Sequence, residues 1–310
     1  MSTSAAYREL GATLRGLREN AGLTLTELAN RLGLPLTTLS RMETGHRAST
    51  TTDVIQHVVG CGLSYRKAQE LFEFTRMAER QQGYYLSDQG IGGSLQSLIF
   101  HESMADYTVG YEAQMVHGLL QTPEYARAMI SSVDADSTPD QLDGAVRTRM
   151  ERSRILAVPE PAWFTFYIHE QALRLQVGTA KVMHEQLLHL VFTAARENVS
   201  IRVVPSAAGE RSVLGAFRLM EFALHKPIVY LDNLANGGLI IDEPAYVRGY
   251  YELIPKLEGI ALDEEQSREF AAGLADEYDR GSHWDGADTM AQEQLQWRIG
   301  NGLRGGGVVS

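Results

Sequence analysis

Apolar residues in the first 82 positions recur at the spacing that puts them on one face of a helix. Leu10, Leu14 and Leu17 form one such stripe, and the Asn-Ala-Gly at 20–22 ends it. Thr24 starts a second helix. Glu27, three positions on, completes the pattern in which each side chain satisfies the other's backbone amide. Leu25, Leu28, Ala29 and Leu32 form its stripe and Gly33 its stop. Pro35 suits the first turn of a third helix, running to about Thr44 and stopping at Gly45. Residues Thr51 to about Gly60 predict a fourth helix. Ser64 caps a fifth that extends to about Gln82.

After Gly83 the pattern changes. Residues 83–93 are rich in glycine and polar positions and read as a linker or an irregular crossing. Helical spacing returns over 94–105, strand-like residues over 107–116, a turn and helix over 118–130, and an arginine-rich helix over 139–156. AWFTFYIHE at 162–170 predicts a strand and Lys181 to Asn198 a helix. SIRVVP, AFRLMEF, PIVYLD and GGLII predict four short strands. Glu243 to Gly259 and Asp263 to Arg280 read as the last helices, and the glycine-rich end as a flexible tail. The pattern predicts a multidomain chain. An all-α five-helix domain over 1–82 is followed by the linker, a larger α+β domain over 94–280 and a tail over 281–310.

Composition adds bounds rather than identity. The 310 residues are 44% hydrophobic and 22% charged, ordinary for a globular chain. No apolar run approaches the roughly 18 residues that span a bilayer. The N-terminus lacks the basic and apolar regions of a secretory signal. Cys61 is the single cysteine, which fits a reducing compartment and a small buried residue. These features predict a cytoplasmic protein with no membrane segment. The net charge of −11 is uneven: residues 1–82 carry 10 basic and 8 acidic side chains, and residues 83–310 carry 18 and 31. The acidic total therefore says little about the first domain, because a contact surface feels charges within about a Debye length, roughly 10 Å.

The informative stretch is LTLTELANRLGLPLTTLSRMETG. Leu25, Leu28, Leu32, Leu39 and Met42 can pack its two helices together, with the small Ala29 at the crossing. Leu36, Thr37, Ser40 and Arg41 remain on the outer face, with Thr38 at its start. That set suits a helix entering a DNA major groove: threonine methyls and leucine can meet thymine methyls, and arginine can bond guanine O6 and N7 with both arms. Hydroxyls and helix N-terminal amides can hold phosphates.

On these residues the N-terminal region, 10–60, resembles the Cro/repressor-type (XRE) helix-turn-helix family. The resemblance implies a five-helix domain that binds a double-stranded DNA operator through its third helix. Leu36, Thr37, Ser40 and Arg41 would face bases; Thr38 and Arg47 would touch phosphates or cap local structure. Ala29, Leu39, Glu43 and Gly45 would be structural, with Glu43 tying the recognition helix to the domain. One position departs from the family. Leu25 stands where the family carries a phosphate-clamping glutamine, which shifts the expected affinity onto pairing of two copies.

The rest of the chain has its own resemblance. GLLQTPEYARAMI, VRTRMERSRIL, IHEQAL, HEQLLHL, SIRVVPSAAGE and GAFRLMEF, in this order, are similar to the C-terminal domain of actinobacterial WhiJ-like regulators. That implies control of development or secondary metabolism. It also implies a small neighbour-encoded partner protein, in an arrangement likened to toxin–antitoxin pairs. No catalytic site, metal or cofactor comes with it. His184 and His189 are five apart and so do not share a helix face as zinc ligands do. No phosphate-binding glycine loop or nucleophile elbow occurs. Trp163 and Phe166 on the aromatic strand, and Arg147 and Arg149 on the arginine-rich helix, are candidates for a ligand or partner surface, with packed core and internal ion pairs as the plainer readings. The expected protein is a homodimeric, non-enzymatic, DNA-binding regulator with a possible small-molecule effector. An antitoxin-like module that sequesters its partner, and an enzyme within 94–280, are the alternatives.

Overall fold

The computed structural model describes residues 4–64, 68–80, 83–91, 93–158, 162–212, 214–232 and 237–282. The expected tail lies outside the described residues from 283 onward, as do residues 65–67 and 81–82 of the expected fifth helix.

The first domain is five helices: α1 (Ala5–Asn20), α2 (Leu25–Leu32), α3 (Leu36–Glu43), α4 (Thr51–Gly60) and α5 (Gln69–Glu79). Thr24 and Glu27 cap α2 reciprocally, and Gly33 ends it in the left-handed conformation at φ 66°. Thr50 and Asp53 form the same reciprocal cap on α4. The close approach of α1 to the end of α3 depends on two glycines. A Cβ on Gly11 would lie 2.4 Å from the Met42 carbonyl oxygen, and one on Gly45 (φ 67°) 2.6 Å from Arg8 Cα.

The second domain is built on a seven-stranded sheet. Its strands are β1 (Tyr84–Leu86), β2 (Tyr107–Glu112), β3 (Trp163–His169), β4 (Val199–Val204), β5 (Phe217–Phe222), β6 (His225–Leu231) and β7 (Leu239–Ile241). Their order is β1-β7-β6-β5-β2-β3-β4; β2, β3 and β4 run parallel and the other pairs antiparallel. The helices are α6 (Ser94–Met104), α7 (Pro123–Val133), α8 (Pro139–Ser153), α9 (Glu170–Arg174), α10 (Ala180–Thr193), α11 (Pro244–Tyr251), α12 (Ile254–Ile260) and α13 (Glu264–Ser282). The expected helix over 243–259 is two helices. Pro255, in the first turn of α12, has no amide to continue α11.

The expected linker over 83–93 is corrected at Tyr84–Leu86, which join the sheet as β1, pairing with β7 through Tyr85 and Ile240, and are followed by a short 3₁₀ turn. A three-residue edge strand has a single inward side chain, here Tyr85, so no alternation marks it in the sequence.

One face of the sheet explains the architecture. Tyr85, Ile240, Tyr230, Arg218, Gly110, Phe166 and Ile201 form a single row across the seven strands. At the β3–β4 end, Phe164, Phe166 and Ile168 pack with residues of α10 and α13 such as Leu187 and Leu274. At the other end, Met220, Phe222, Ile228, Tyr230 and Ile240 share one core with Leu10, Leu14, Val54 and Phe72 of the helical domain. The opposite face, with Val109, Tyr167, Leu219 and Val229, is covered by Val247 of α11 and Leu257 of α12. The helical domain is therefore seated on the sheet rather than tethered beside it.

A shared core makes unfolding cooperative across both domains. Met220→Ala, at a fully buried position of that core, is expected to cost about 2–5 kcal/mol. Calorimetry of this variant should show one transition at lower temperature; a separate transition for the helical domain would contradict the shared core.

Candidate nucleic-acid interface

The hairpin of α2 and α3 is held by Leu28, Ala29 and Leu39, buried with Cys61. Met42 is also buried, at the end of α3. This packing turns a ridge of α3 outward. Leu36 is 47% exposed, Thr37 and Arg41 are exposed, and Thr38 and Ser40 are half-buried. Leu36, Thr37, Ser40 and Arg41 fall at i, i+1, i+4 and i+5, so they share one side of the helix. The Arg41 guanidinium rests on the turn that follows, Nη2 donating to the His46 carbonyl at 3.4 Å. That exposed, long bond is readily exchanged for a better acceptor. Arg47 is placed differently. Its Nη2 lies 3.4 Å from Asp53 at the start of α4, so it braces the loop instead of lining the ridge.

Glu43 fixes this ridge from beneath. Its carboxylate is buried and accepts from Arg18 Nε at 2.9 and 3.0 Å and from Arg18 Nη2 at 2.8 Å. His57 Nε2 lies 3.0 Å away. The last turn of α3 is thus tied to α1 and α4 at once. Burial alone would raise the Glu43 pKa, but the bonds and charges of His57 and Arg18 outweigh it and hold the group below its ordinary 4.5. Leu25 is half-buried against Leu28 and Leu39, so the residue in the place of a phosphate clamp extends the hairpin's core.

The α+β candidates separate in space. Phe166 is 1% exposed and stacks in the core on Phe164, with ring centroids 5.9 Å apart. Trp163, three residues earlier, is 57% exposed. Arg147 faces solvent. Arg149 turns inward, Nη1 donating to Gln121 Oε1 at 2.7 Å, and lines a cavity with Arg152, Arg218, Glu112 and Asp232. The sequence reading missed the acidic side of this cluster. Glu102 of α6 is buried and takes Arg152 Nε at 2.6 Å and Nη2 at 3.0 Å. Nothing in the amphipathic pattern of α6 distinguishes Glu102 from a surface acid. A serine–histidine pair was also not foreseen: His169 Nε2 lies 3.2 Å from Ser212 Oγ. His169 Nδ1 accepts the Gln171 amide at 3.1 Å. A neutral ring therefore carries its proton on Nε2 and cannot take one from the serine.

A family model for a helix-turn-helix domain matches residues 9–71. A second model, described as a domain of unknown function (DUF5753), matches residues 95–272. No curated protein and no solved structure matches the chain at a significant level. The N-terminal match, on the hairpin just described, supports a DNA-binding domain. No helix among the described residues is long and apolar enough to cross a membrane.

The Glu43 arrangement has a measurable signature. Glu43→Gln leaves the buried Arg18 guanidinium without its partner and is expected to cost about 3–5 kcal/mol at neutral pH. A carboxylate whose folded pKa is depressed stabilises the fold fully above its unfolded pKa, and that contribution is lost as pH falls through the folded one. Denaturant melts of wild type and variant should therefore differ most at neutral pH and converge as pH falls below the ordinary 4.5 of the group. A gap independent of pH would remove the ionised Glu43 from the account.

Proposed function

The chain belongs to the DUF5753 family, and from that premise, joined to its helix-turn-helix domain, we propose that it is a sequence-specific transcriptional regulator of the XRE type. The observation that carries this reading is the α3 ridge. A leucine, two hydroxyl residues and an arginine project from a helix whose far end is pinned by a buried ion pair. Chemistry suited to base edges is presented on a rigid support, as direct readout requires.

The finer parts of the reading rest on the resemblance and on surface chemistry. The order of sequence blocks in the second domain supports a WhiJ-like regulator of actinobacterial development or secondary metabolism, working in the cytoplasm. Homodimerisation follows from the small ridge: one short helix makes few contacts, and two half-sites add their free energies. Trp163 and Val158, 57% and 44% exposed, offer an apolar surface to a second copy or to a small partner protein. That patch also favours the second reading, an antitoxin-like module that sequesters such a partner and binds DNA for autoregulation. An enzymatic role has less support, since the serine–histidine pair holds its proton on the wrong nitrogen for a base.

Selection of the full chain against random double-stranded DNA tests the proposal. A defined motif should emerge, and Arg41→Ala should lose about 1–3 kcal/mol of affinity and relax preference at one base pair. Equal weakening on every sequence would make Arg41 a phosphate contact. A selection that enriches no motif would overturn the reading.

A further inference from the structure

Between the two apolar halves of the sheet face lies a polar seam, and the seam holds a cavity of about 230 Å³. Its floor is Arg152 and Arg218, both buried, with Arg149 beside them. Its wall on the α7 side is apolar and adaptable, made by Met129 and Ile130, and Met115 also lines the cavity. Val133 and Asp134 at the mouth are exposed.

The three arginines of this seam face as many carboxylates, Glu102, Glu112 and Asp232, with Asp134 at the mouth, but their hydrogen bonds are incomplete. Arg152 is paired with Glu102 at 2.6 Å, and Arg218 with Glu112 at 3.3 Å. Arg218 also reaches the half-exposed Asp232 at 3.5 Å. Among the described residues, Arg149 has only the neutral Gln121 as its hydrogen-bond acceptor. Burial, then the like charges of Arg152 and Arg218, depress its pKa to about 10 against the opposing charges of Asp232 and Glu102, so it stays protonated at neutral pH. Arg218 Nη1 is buried and has no hydrogen-bond acceptor; Glu102 Oε1, at 3.6 Å, is beyond bonding distance. Among the described residues, a cation with no carboxylate bonded to it and a buried donor without an acceptor share one cavity with an apolar wall.

We infer that this cavity is an effector site for a small amphipathic monocarboxylate, its carboxylate held by Arg149 and Arg218 and its apolar part lying against Met115, Met129 and Ile130. A carboxylate there gives Arg149 a bonded ionic partner and Arg218 Nη1 its missing acceptor. Arginine pairs carboxylates with directional, charge-assisted bonds. The volume is below the roughly 300–1,000 Å³ of sites for drug-sized ligands, so the ligand is small. Occupancy can be felt by the helical domain through α6. Glu102 of α6 braces the cavity floor, and Ser97 of the same helix donates to Glu9 of α1 at 2.8 Å.

The site deepens the regulator reading, but its tests use no DNA, so either can fail without the other. Isothermal titration of the full chain uses sodium octanoate as the probe and octan-1-ol as its uncharged control. Octanoate is expected to bind saturably at one site, and octan-1-ol at least about tenfold more weakly. Arg149→Met should weaken octanoate by about tenfold with the thermal midpoint preserved. Val133→Trp, at the exposed rim, should block the mouth and serves if Arg149→Met does not fold. Octanoate should also slow amide exchange in α6 and α1 of the wild-type chain. No saturable octanoate binding at millimolar concentration, equal affinity for octan-1-ol, or binding untouched by these substitutions overturns the site. Binding with no change of exchange in α1 overturns the coupling.

Discussion

Two consecutive charged residues of α1, Arg8 and Glu9, are buried where the helical domain meets the sheet, and the seating of that domain depends on the contacts they make there. Glu9 accepts from Tyr85 Oη at 2.9 Å, from Ser97 Oγ at 2.8 Å and from the Ile91 amide at 2.6 Å. Arg8 donates to the Lys226 carbonyl at 2.9 Å and lies over the Phe222 ring, 4.6 Å from its centroid. Burial depresses the Arg8 pKa to about 10, with the charge of Asp242 acting against it, and raises that of Glu9 against three hydrogen bonds. Such groups are costly to bury and contribute little net stability. They do fix geometry: an apolar contact alone tolerates sliding, whereas these bonds close in one register only. Asp242 adds to this by accepting the Ala5 amide at the start of α1.

The same constraint gives α6 two duties. Ser97 and His101 face α1, His101 lying 3.0 Å from Tyr85 Oη as a buried ring that burial keeps neutral. Glu102, the next residue, faces the arginines of the seam. Adjacent positions of a helix point about 100° apart, so a single rigid rod serves both environments. A second contact reaches the loop after the recognition helix: His46 stacks on His225 of β6 at 4.6 Å. The His46 carbonyl is also the resting partner of Arg41. Sheet, seam and the α3 ridge are joined by packed and bonded groups.

The helical domain was legible because its signals are local. A reciprocal cap needs only Thr24 and Glu27, and a left-handed stop needs only Gly33. The long strands announced themselves by their alternation or by runs rich in aromatic and β-branched residues, as in Phe164 to Ile168. What failed to show was decided by distant partners. Tyr84–Leu86 is a strand only because β7 offers an edge. Glu9 looks like any polar helix residue until Tyr85 and Ser97 close over it. The arginine helix was half legible. Arg147 and Arg149 lie about 200° apart on a helix, while Arg149 and Arg152, three apart, share a face with Val146. That spacing selects the inward pair, but it cannot supply Glu102, which is brought in from 50 residues away.

These joints bear on how a short ridge with Leu25 in place of a phosphate clamp could hold DNA. In a pair of copies joined through the α+β domains, the separation of the two α3 helices is set by every interface between them. Half-sites on one face of a duplex repeat at about 34 Å, and a mismatch of a few ångströms costs one of the two contacts. A flexible linker over 83–93 would have let each recognition helix find its own half-site, at an entropic cost for each. In such a pair the sheet-bound arrangement would remove that freedom, and the spacing would become a mechanical property of the seam. Small displacements of α6, amplified along α1, would then tune affinity for paired sites while leaving the Leu36–Arg41 ridge itself unchanged.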